Sequence, residues 1–431
     1  MEGKDLLIKQ QAKKYKLKNG IRIVLEKVPN VYSVSVGIWI HAGSADENLK
    51  NNGIAHMIEH MLFKGTARRT ATQLADETAE TGGEINAYTS KEFTSLYACV
   101  LSEHLPKVIE IMGDMLNNSM FDENELEKEK NIVMDEIDMY KDSPEDVVHE
   151  MLQMKVWDGH PLGYLISGEK DVVKSFSSAQ LKEFVRDYYV GENIVISAAG
   201  NFDEDELIKQ LEAVFSDIAP KGKSKNVVVP VFTPAIYLEY KDIEQIHINF
   251  AYSASGSRAD DRYAYAVMNN ILGGGVNSRL FMKIREELGL TYAIYSYGSS
   301  FMDAGLFHIC ASLNPEQFDT VMKESIGVLK KLKENGPSDK ELIASKEQIK
   351  TDLLLQCEST KAIMSENAKS VMLFDRILPI EQIIETVNSI TKKDITDCMD
   401  SMMSGQGFGI AIAGNINFET MSEENIKKLL N

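Results

Sequence analysis

The stretch NIVISAAGNFDEDELIKQLEAVF at 193–215 comes back, altered, as FGIAIAGNINFETMSEENIKKLL at 408–430. Each copy reads as an apolar strand, a tight turn and an amphipathic helix. The turns, Ala199-Gly200-Asn201 and Ala413-Gly414-Asn415, use residues that supply the backbone freedom a sharp reversal needs. Upstream of each copy, the alternating segment SVSVGIWIHAGS (33–44) matches HINFAYSASGS (247–257), and both lead through a polar turn into a mostly apolar helical stretch. The chain therefore reads as two similar halves. Between them, APKGKSKNVVVPVFTPA (219–235) is rich in proline and lysine and carries no acid, which marks a linker. The expected organisation is an N-terminal domain over 1–218, a linker over 219–235 and a C-terminal domain over 236–431. Each half mixes strands, such as 21–27, 33–41 and 84–101, with helical runs. That is the pattern of an α+β sandwich layer, and two such halves are expected to make up one half of a clamshell.

Composition excludes several function classes. The 431 residues are 44% hydrophobic and 26% charged, values of a folded globular chain rather than a disordered or fibrous one. Lys and Arg number 46 against 65 Asp and Glu, a net charge of -19 that repels a phosphate backbone, and no basic patch offsets it, so no nucleic-acid partner is expected. No apolar run reaches the ~20 residues a membrane helix needs, and the start MEGKDLLIKQQAKKYKLKNG lacks a signal-peptide core, so a cytoplasmic, membrane-free protein is expected. Cys99, Cys310, Cys357 and Cys398 form no CxxC pair, which argues against a disulfide framework or a thiolate metal site. Each is expected to be a small buried apolar residue.

The chemistry concentrates in GIAHMIEHMLFKG (53–65), a nearly wholly apolar helical segment interrupted by His56, Glu59 and His60. The histidines are at i and i+4, so on a helix they share one face at a spacing that lets two imidazoles bind one metal ion. His-x-x-Glu-His inverts the order of the common zinc-protease helix, in which a carboxylate that does not bind metal polarises the attacking water. The competing reading makes both histidines hydrogen-bonded core residues and Glu59 a surface acid. Enclosure weighs against it, because an unpaired buried carboxylate is costly. The remaining histidines, His41, His104, His149, His160, His247 and His308, have no partner at ligand spacing and read as structural.

Catalytic zinc usually takes three protein ligands. The candidate for the third lies in DENELEKEKNIVMDEIDMYKD (122–142), strongly helical by composition with Asp122 as its N-cap. The stripe Glu129, Ile132, Val133, Glu136, Tyr140 places two acids on an apolar face. Glu136 as ligand and Glu129 as the group orienting a ligating histidine suits that placement, although periodicity alone leaves the assignment open. The matching helical stretch of the second half, AYAVMNNILGGG (264–275), has Asn269 and Asn270 but no histidine, so only the first half can build the site. Gly273, Gly274 and Gly275 fit neither a phosphate-binding loop nor a dinucleotide fingerprint, and read instead as a flexible loop that lets an extended peptide approach. Arg285 and Tyr292 are separated by a helix stop at Gly289. The strand run GGEINAYTSKEFTSLYACVL (82–101), preceded by the capping-box pattern Thr70 to Gln73, is expected to be interior, with an edge strand that receives substrate beside Asn86 as the alternative.

Taken together, HMIEHMLFKGT, GGEINAYTS, EKEKNIVMDEI, SPEDVVHEML, HPLGY, ILGGGVNSRL and IREELGLTYAI resemble the pitrilysin-type inverted-zincin metallopeptidases, in particular bacterial two-domain proteins similar to the mitochondrial processing peptidase. The resemblance spans nearly the whole chain. It implies a zinc metalloendopeptidase holding one Zn2+ per chain through His56, His60 and Glu136. It also implies Glu59 as general base, Glu129 as the carboxylate behind a ligand, Asn86 and Ala87 on the substrate strand, and Arg285 with Tyr292 assisting the oxyanion. Lys130 and Asp135 stand where many relatives carry Arg and Glu. One chain carries both the zinc motif and the glycine-rich loop, which implies a homodimer acting on peptides or unfolded segments in an enclosed chamber, with Arg285 and Tyr292 serving the partner's zinc. The alternative is a non-catalytic processing-peptidase-like scaffold or peptide-binding subunit, whose usual mark is a broken metal motif.

Overall fold

A computed structural model describes residues 11–225, 227–403, 405, 407–418 and 421–429; the reading of the first twenty residues as no signal peptide falls partly outside them. Two mixed sheets carry the fold. The first consists of β1 (Lys13–Lys16), β2 (Arg22–Lys27), β3 (Ser33–Ile40), β4 (Glu84–Thr89), β5 (Thr94–Leu101) and β6 (Ile194–Gly200), in the order β1-β2-β6-β3-β5-β4. The second consists of β7 (Ile236–Tyr240), β8 (Ile246–Ala254), β9 (Ala293–Ser300), β10 (Gly305–Leu313) and β11 (Gly409–Gly414), in the order β7-β11-β8-β10-β9. Without β1 the two orders correspond strand for strand. In both, the repeated strand runs parallel to one neighbour and antiparallel to the other: β6 between β2 and β3, β11 between β7 and β8. This is the α+β, two-domain architecture expected from the internal repeat.

The run at 84–101 is not one strand but a hairpin. It turns at Ser90–Phe93, where the Ser90 amide and hydroxyl both donate to the Phe93 carbonyl. Polar Ser90, Lys91 and Glu92 interrupt the apolar alternation there, and β4 becomes the edge of its sheet rather than an interior strand.

The compact units are not continuous in sequence. One contains residues through 137, 164–227 and 353–383; the other contains 138–163, 228–352 and 384 onward. The units thus exchange helices. Thr360–Phe374 packs on β6, β3 and β2 in the first, and Pro144–Val156 packs on β11, β8 and β7 in the second. Strand alternation explains the two layers that result. Val34, Val36, Ile38 and Ile40 of β3 enter the large core with the helix Ile54–Leu62. On the opposite face, Trp39 packs with Met364, Ala368 and Val371 of the exchanged helix. Gly37 sits under that indole, where an added Cβ would come within 2.4 Å of the ring.

From 219 to 235 no described residue is helical or extended in a sheet. Lys225 anchors the linker to the first unit by an ion pair with Asp46 at 2.8 Å, and the Thr233 amide donates to the Val156 carbonyl within the second unit. All four cysteines are free, but only Cys310 and Cys398 are buried. Cys99 is exposed on β5 and Cys357 is intermediate, so they are not core residues as their type suggested. No helix of the described residues is long and apolar enough to cross a membrane.

Candidate metal centre

The helix Ile54–Leu62 begins at Gly53, whose φ of +95° only glycine adopts without strain. At nine residues it is too short to be stable alone. It is held by burial of Ile54, Ala55, Met57, Ile58, Met61 and Leu62 in the core of the first unit. That packing fixes the opposite face, where His56, Glu59 and His60 stand. The long helix Glu123–Asp142 approaches this face. Asp122 caps it, accepting from the Asn124 and Glu125 amides. Its buried stripe is Leu126, Glu129, Lys130, Val133 and Ile137. Ile132 is exposed rather than packed, since it lies too far around the helix from Val133 to share its face.

The Nε2 atoms of both histidines converge on Glu136. Its Oε2 is 3.7 Å from His56 Nε2 and 3.5 Å from His60 Nε2, and the two imidazole rings meet edge to face at 4.6 Å. Among the described residues, His56, His60 and Glu136 form the one cluster of three potential ligands, with all three donor atoms within 4.8 Å of one another. Two ligand atoms on tetrahedral zinc, at bond lengths near 2.0–2.2 Å, lie roughly 3.3 Å apart. The observed spacing therefore fits one zinc ion with little adjustment.

The hydrogen bonding around the two rings suits this fit. His60 Nδ1 is 2.9 Å from Glu129 Oε1, which leaves Nε2 to the metal. Burial works against the His60 imidazolium, but the carboxylates of Glu129 and Glu136 outweigh it and hold its pKa up at about 9, so a cation at this position replaces a proton. His56 behaves oppositely: burial first, then His60, pushes it down to about 4 and keeps it neutral and ready to donate its lone pair. Glu129 is itself buried. The hydrogen bonds from His60 and from Lys64, 2.7 Å away, overcome that burial and keep its carboxyl below the usual range.

Glu59 stands beside the cluster without joining it. Burial raises its pKa, against the effect of a 2.6 Å hydrogen bond donated by Thr89 at the end of β4. A carboxylate so placed suits proton transfer. The same strand carries Asn86, which is exposed; it donates to Glu84 at 3.0 Å and accepts from the Ala87 amide at 2.8 Å. β4 thus presents an edge, not the interior position its pattern suggested, and an edge is where an extended segment can add.

The other predicted residues lie in the second unit. The segment Phe281–Glu287 winds as a π-helix, a rare form often found at functional sites. It brings the Arg285 guanidinium 4.5 Å from the centre of the Tyr292 ring and 2.8 Å from the Tyr292 carbonyl, so the stop at Gly289 does not separate them. Tyr292 is 80% exposed. Of the glycines, Gly273 and Gly274 allow close packing: a Cβ would meet the Ser296 amide at 2.4 Å and Asn270 Cα at 2.8 Å. Gly275 faces open space.

Three site residues escaped the sequence reading. Thr89 reaches Glu59 across thirty positions, Lys64 grips Glu129, and Glu47 holds the start of the motif helix. Only Lys64, one turn beyond His60, carried a local signal.

The chain matches the family model described as Insulinase (Peptidase family M16) over residues 22–170, and the model described as Peptidase M16 inactive domain over residues 175–349. A Bacillus subtilis protein named an uncharacterized zinc protease is 40% identical over 88% of this chain and 92% of its own. A Rickettsia felis protein of the same description is 35% identical over 90% and 94%. Two solved structures share the fold at 20% identity. A Pseudomonas fluorescens protein titled a peptidase M16 inactive domain superposes with a TM-score of 0.88 over 94% of this chain and 98% of its own, and a Helicobacter pylori protease with 0.87 over 94% and 100%.

Proposed function

The chain belongs to the insulinase family of peptidases, family M16, and from that premise we propose that it is a zinc-dependent endopeptidase acting on peptides or unfolded segments. The observation that carries this reading is the convergence of His56, His60 and Glu136 next to a fourth acid, Glu59, that stays outside the ligand set. The relatives named zinc proteases support the choice of metal.

When bound, zinc supplies Lewis acidity that activates water and polarises a peptide carbonyl. The chain's own residues do the rest. His56, His60 and Glu136 would hold the ion, and Glu129 fixes the His60 ring. Glu59 accepts the proton of the attacking water and returns it to the leaving amine, with Thr89 fixing its orientation. The free edge of β4 receives the peptide as an added strand, which gives affinity through main-chain hydrogen bonds with little sequence preference. Asn86 and Ala87 lie on that edge strand beside the peptide. Tyr292, exposed and stacked with Arg285, would donate its hydroxyl proton to the developing oxyanion at the partner protomer's site.

The rest of the proposal is a homodimer in the cytoplasm, enclosing a chamber and sharing its sites, with Arg285 and Tyr292 serving the partner's zinc. Mixing Glu59→Gln with Tyr292→Phe protein tests the sharing: hybrid dimers recover one intact site if it holds, and no recovery after confirmed exchange refutes it. The peptidase reading itself is tested with quenched fluorescent peptides. Wild type cleaves and Glu59→Gln does not, with equal zinc in both; peptide binding without cleavage by either protein favours a scaffold instead.

A further inference from the structure

The motif helix has an unusual start. Its N-cap is Gly53, which has no side chain to satisfy the helix's first amides, and those amides are buried. The acceptor comes from six residues upstream. Glu47, 5% exposed, reaches back with both oxygens: Oε2 accepts from the Gly53 amide at 2.7 Å and Asn52 Nδ2 at 2.8 Å, and Oε1 accepts from the Ala55 amide at 2.9 Å. Burial raises the Glu47 pKa to about 7, against these three hydrogen bonds, and the ionised form also complements the positive end of the helix dipole. The other side of the helix start is clamped as well. Asn52 donates to the Leu165 carbonyl at 2.7 Å, and a Cβ on Gly53 would come within 2.7 Å of the Ser167 carbonyl oxygen.

The consequence follows from position. The helix begins at Ile54, so His56 lies in its first turn, the part of any helix that frays first, whereas Glu59 and His60 lie a turn deeper. Nothing else among the described residues holds the Gly53 and Ala55 amides. Resting on the zinc-peptidase reading, we propose that Glu47 is a positioning residue: it locks the first turn so that His56 meets the ion in register with His60 and Glu136.

Glu47→Gln tests this. It preserves volume but offers one oxygen where two are used, so one of the two buried amides loses its acceptor. Removing support behind a ligand typically weakens metal affinity ~10–100-fold. The expected result, from competition with a chromophoric chelator on folded protein, is zinc affinity about 10-fold weaker, with kcat reduced similarly and KM within about twofold. Asn52→Ala removes one donor but keeps both amide bonds, and should fall between Glu47→Gln and wild type.

A purely structural role would lower the melting temperature of metal-free and zinc-loaded protein alike and leave zinc affinity unchanged; that result overturns the proposal. If Glu47→Gln does not fold, wild-type zinc affinity in Asn52→Ala overturns it instead. Failure of the wild type itself to bind zinc overturns the metal reading and this inference with it, whereas normal zinc binding in wild type and in both variants overturns the inference alone.

Discussion

The two units share a strand order and treat their histidines in opposite ways. In the first, His56 and His60 lie on one helix face, meet carboxylates and turn both Nε2 atoms toward Glu136. In the second, His149 and His308 sit between the exchanged helix Pro144–Val156 and its sheet, among neutral partners. His149 Nδ1 meets the Tyr297 hydroxyl at 2.5 Å and Asn249 at 3.1 Å. His308 Nδ1 bonds Asn249 Oδ1 at 3.1 Å and stacks on Tyr297 with ring centres 4.5 Å apart. Burial pushes both down, His308 to about 3, while the carboxylates of the first unit lift His60 to about 9. One strand order thus carries, in one unit, histidines hydrogen-bonded or ion-paired to carboxylates that could hold a metal ion and, in the other, histidines hydrogen-bonded to a tyrosine and an asparagine.

The largest effect that sharpens this contrast is metal removal. Chelation should abolish peptide hydrolysis and zinc should restore it, with hydrogen exchange changing at 54–62 and 129–136 and not in β8 or β10. Zinc protection of β8 and β10 would break the comparison. Next, Glu129→Gln should weaken zinc ~10–100-fold by releasing the His60 ring, whereas His149→Gln should leave zinc affinity unchanged; chelator titrations of the two proteins give the answer directly.

The third concerns acid. His308 has its folded pKa depressed below 6.5, so its contribution to stability is present above pH 6.5 and lost as pH falls toward about 3. The slope is up to ~1.4 kcal/mol per pH unit for such a histidine. The nearest acids, Glu145 and Asp146, raise His149 only enough to offset part of its burial. Denaturation of His308→Gln should therefore show a shallower loss between pH 6.5 and 4.5 than wild type, and equal slopes would mean the layer is not what titrates. Smallest is Thr89→Val, which keeps shape and removes the bond to Glu59: zinc is retained and kcat falls by a few-fold, since one orienting hydrogen bond is worth ~0.5–1.5 kcal/mol.

What the sequence revealed was what lies within a few turns of chain. The shared helix face of His56 and His60 is readable because i and i+4 lie together, whereas Glu136 was left open by periodicity and stands out only where its carboxylate meets both imidazoles. The repeat disclosed two similar halves, and the structure gives them matching strand orders. Strand neighbours, however, are set by pairing over long separations, so the edge position of β4 was not readable and the expected interior strand proved to be an edge strand. The exchange of Pro144–Val156 and Thr360–Phe374 was hidden for the same reason, since an amphipathic pattern states that a face is buried without naming the sheet that buries it. Glu47 and Thr89 looked like ordinary loop and strand residues. Their roles depend on a glycine-started helix and a strand end meeting them in space.

The central claim, that the first unit alone builds the metal site, is tested most directly by counting zinc bound per chain in wild type, His60→Gln and His308→Gln, each confirmed as folded by circular dichroism. The account predicts one, none and one. Zinc retained in His60→Gln, or lost in His308→Gln, would contradict it.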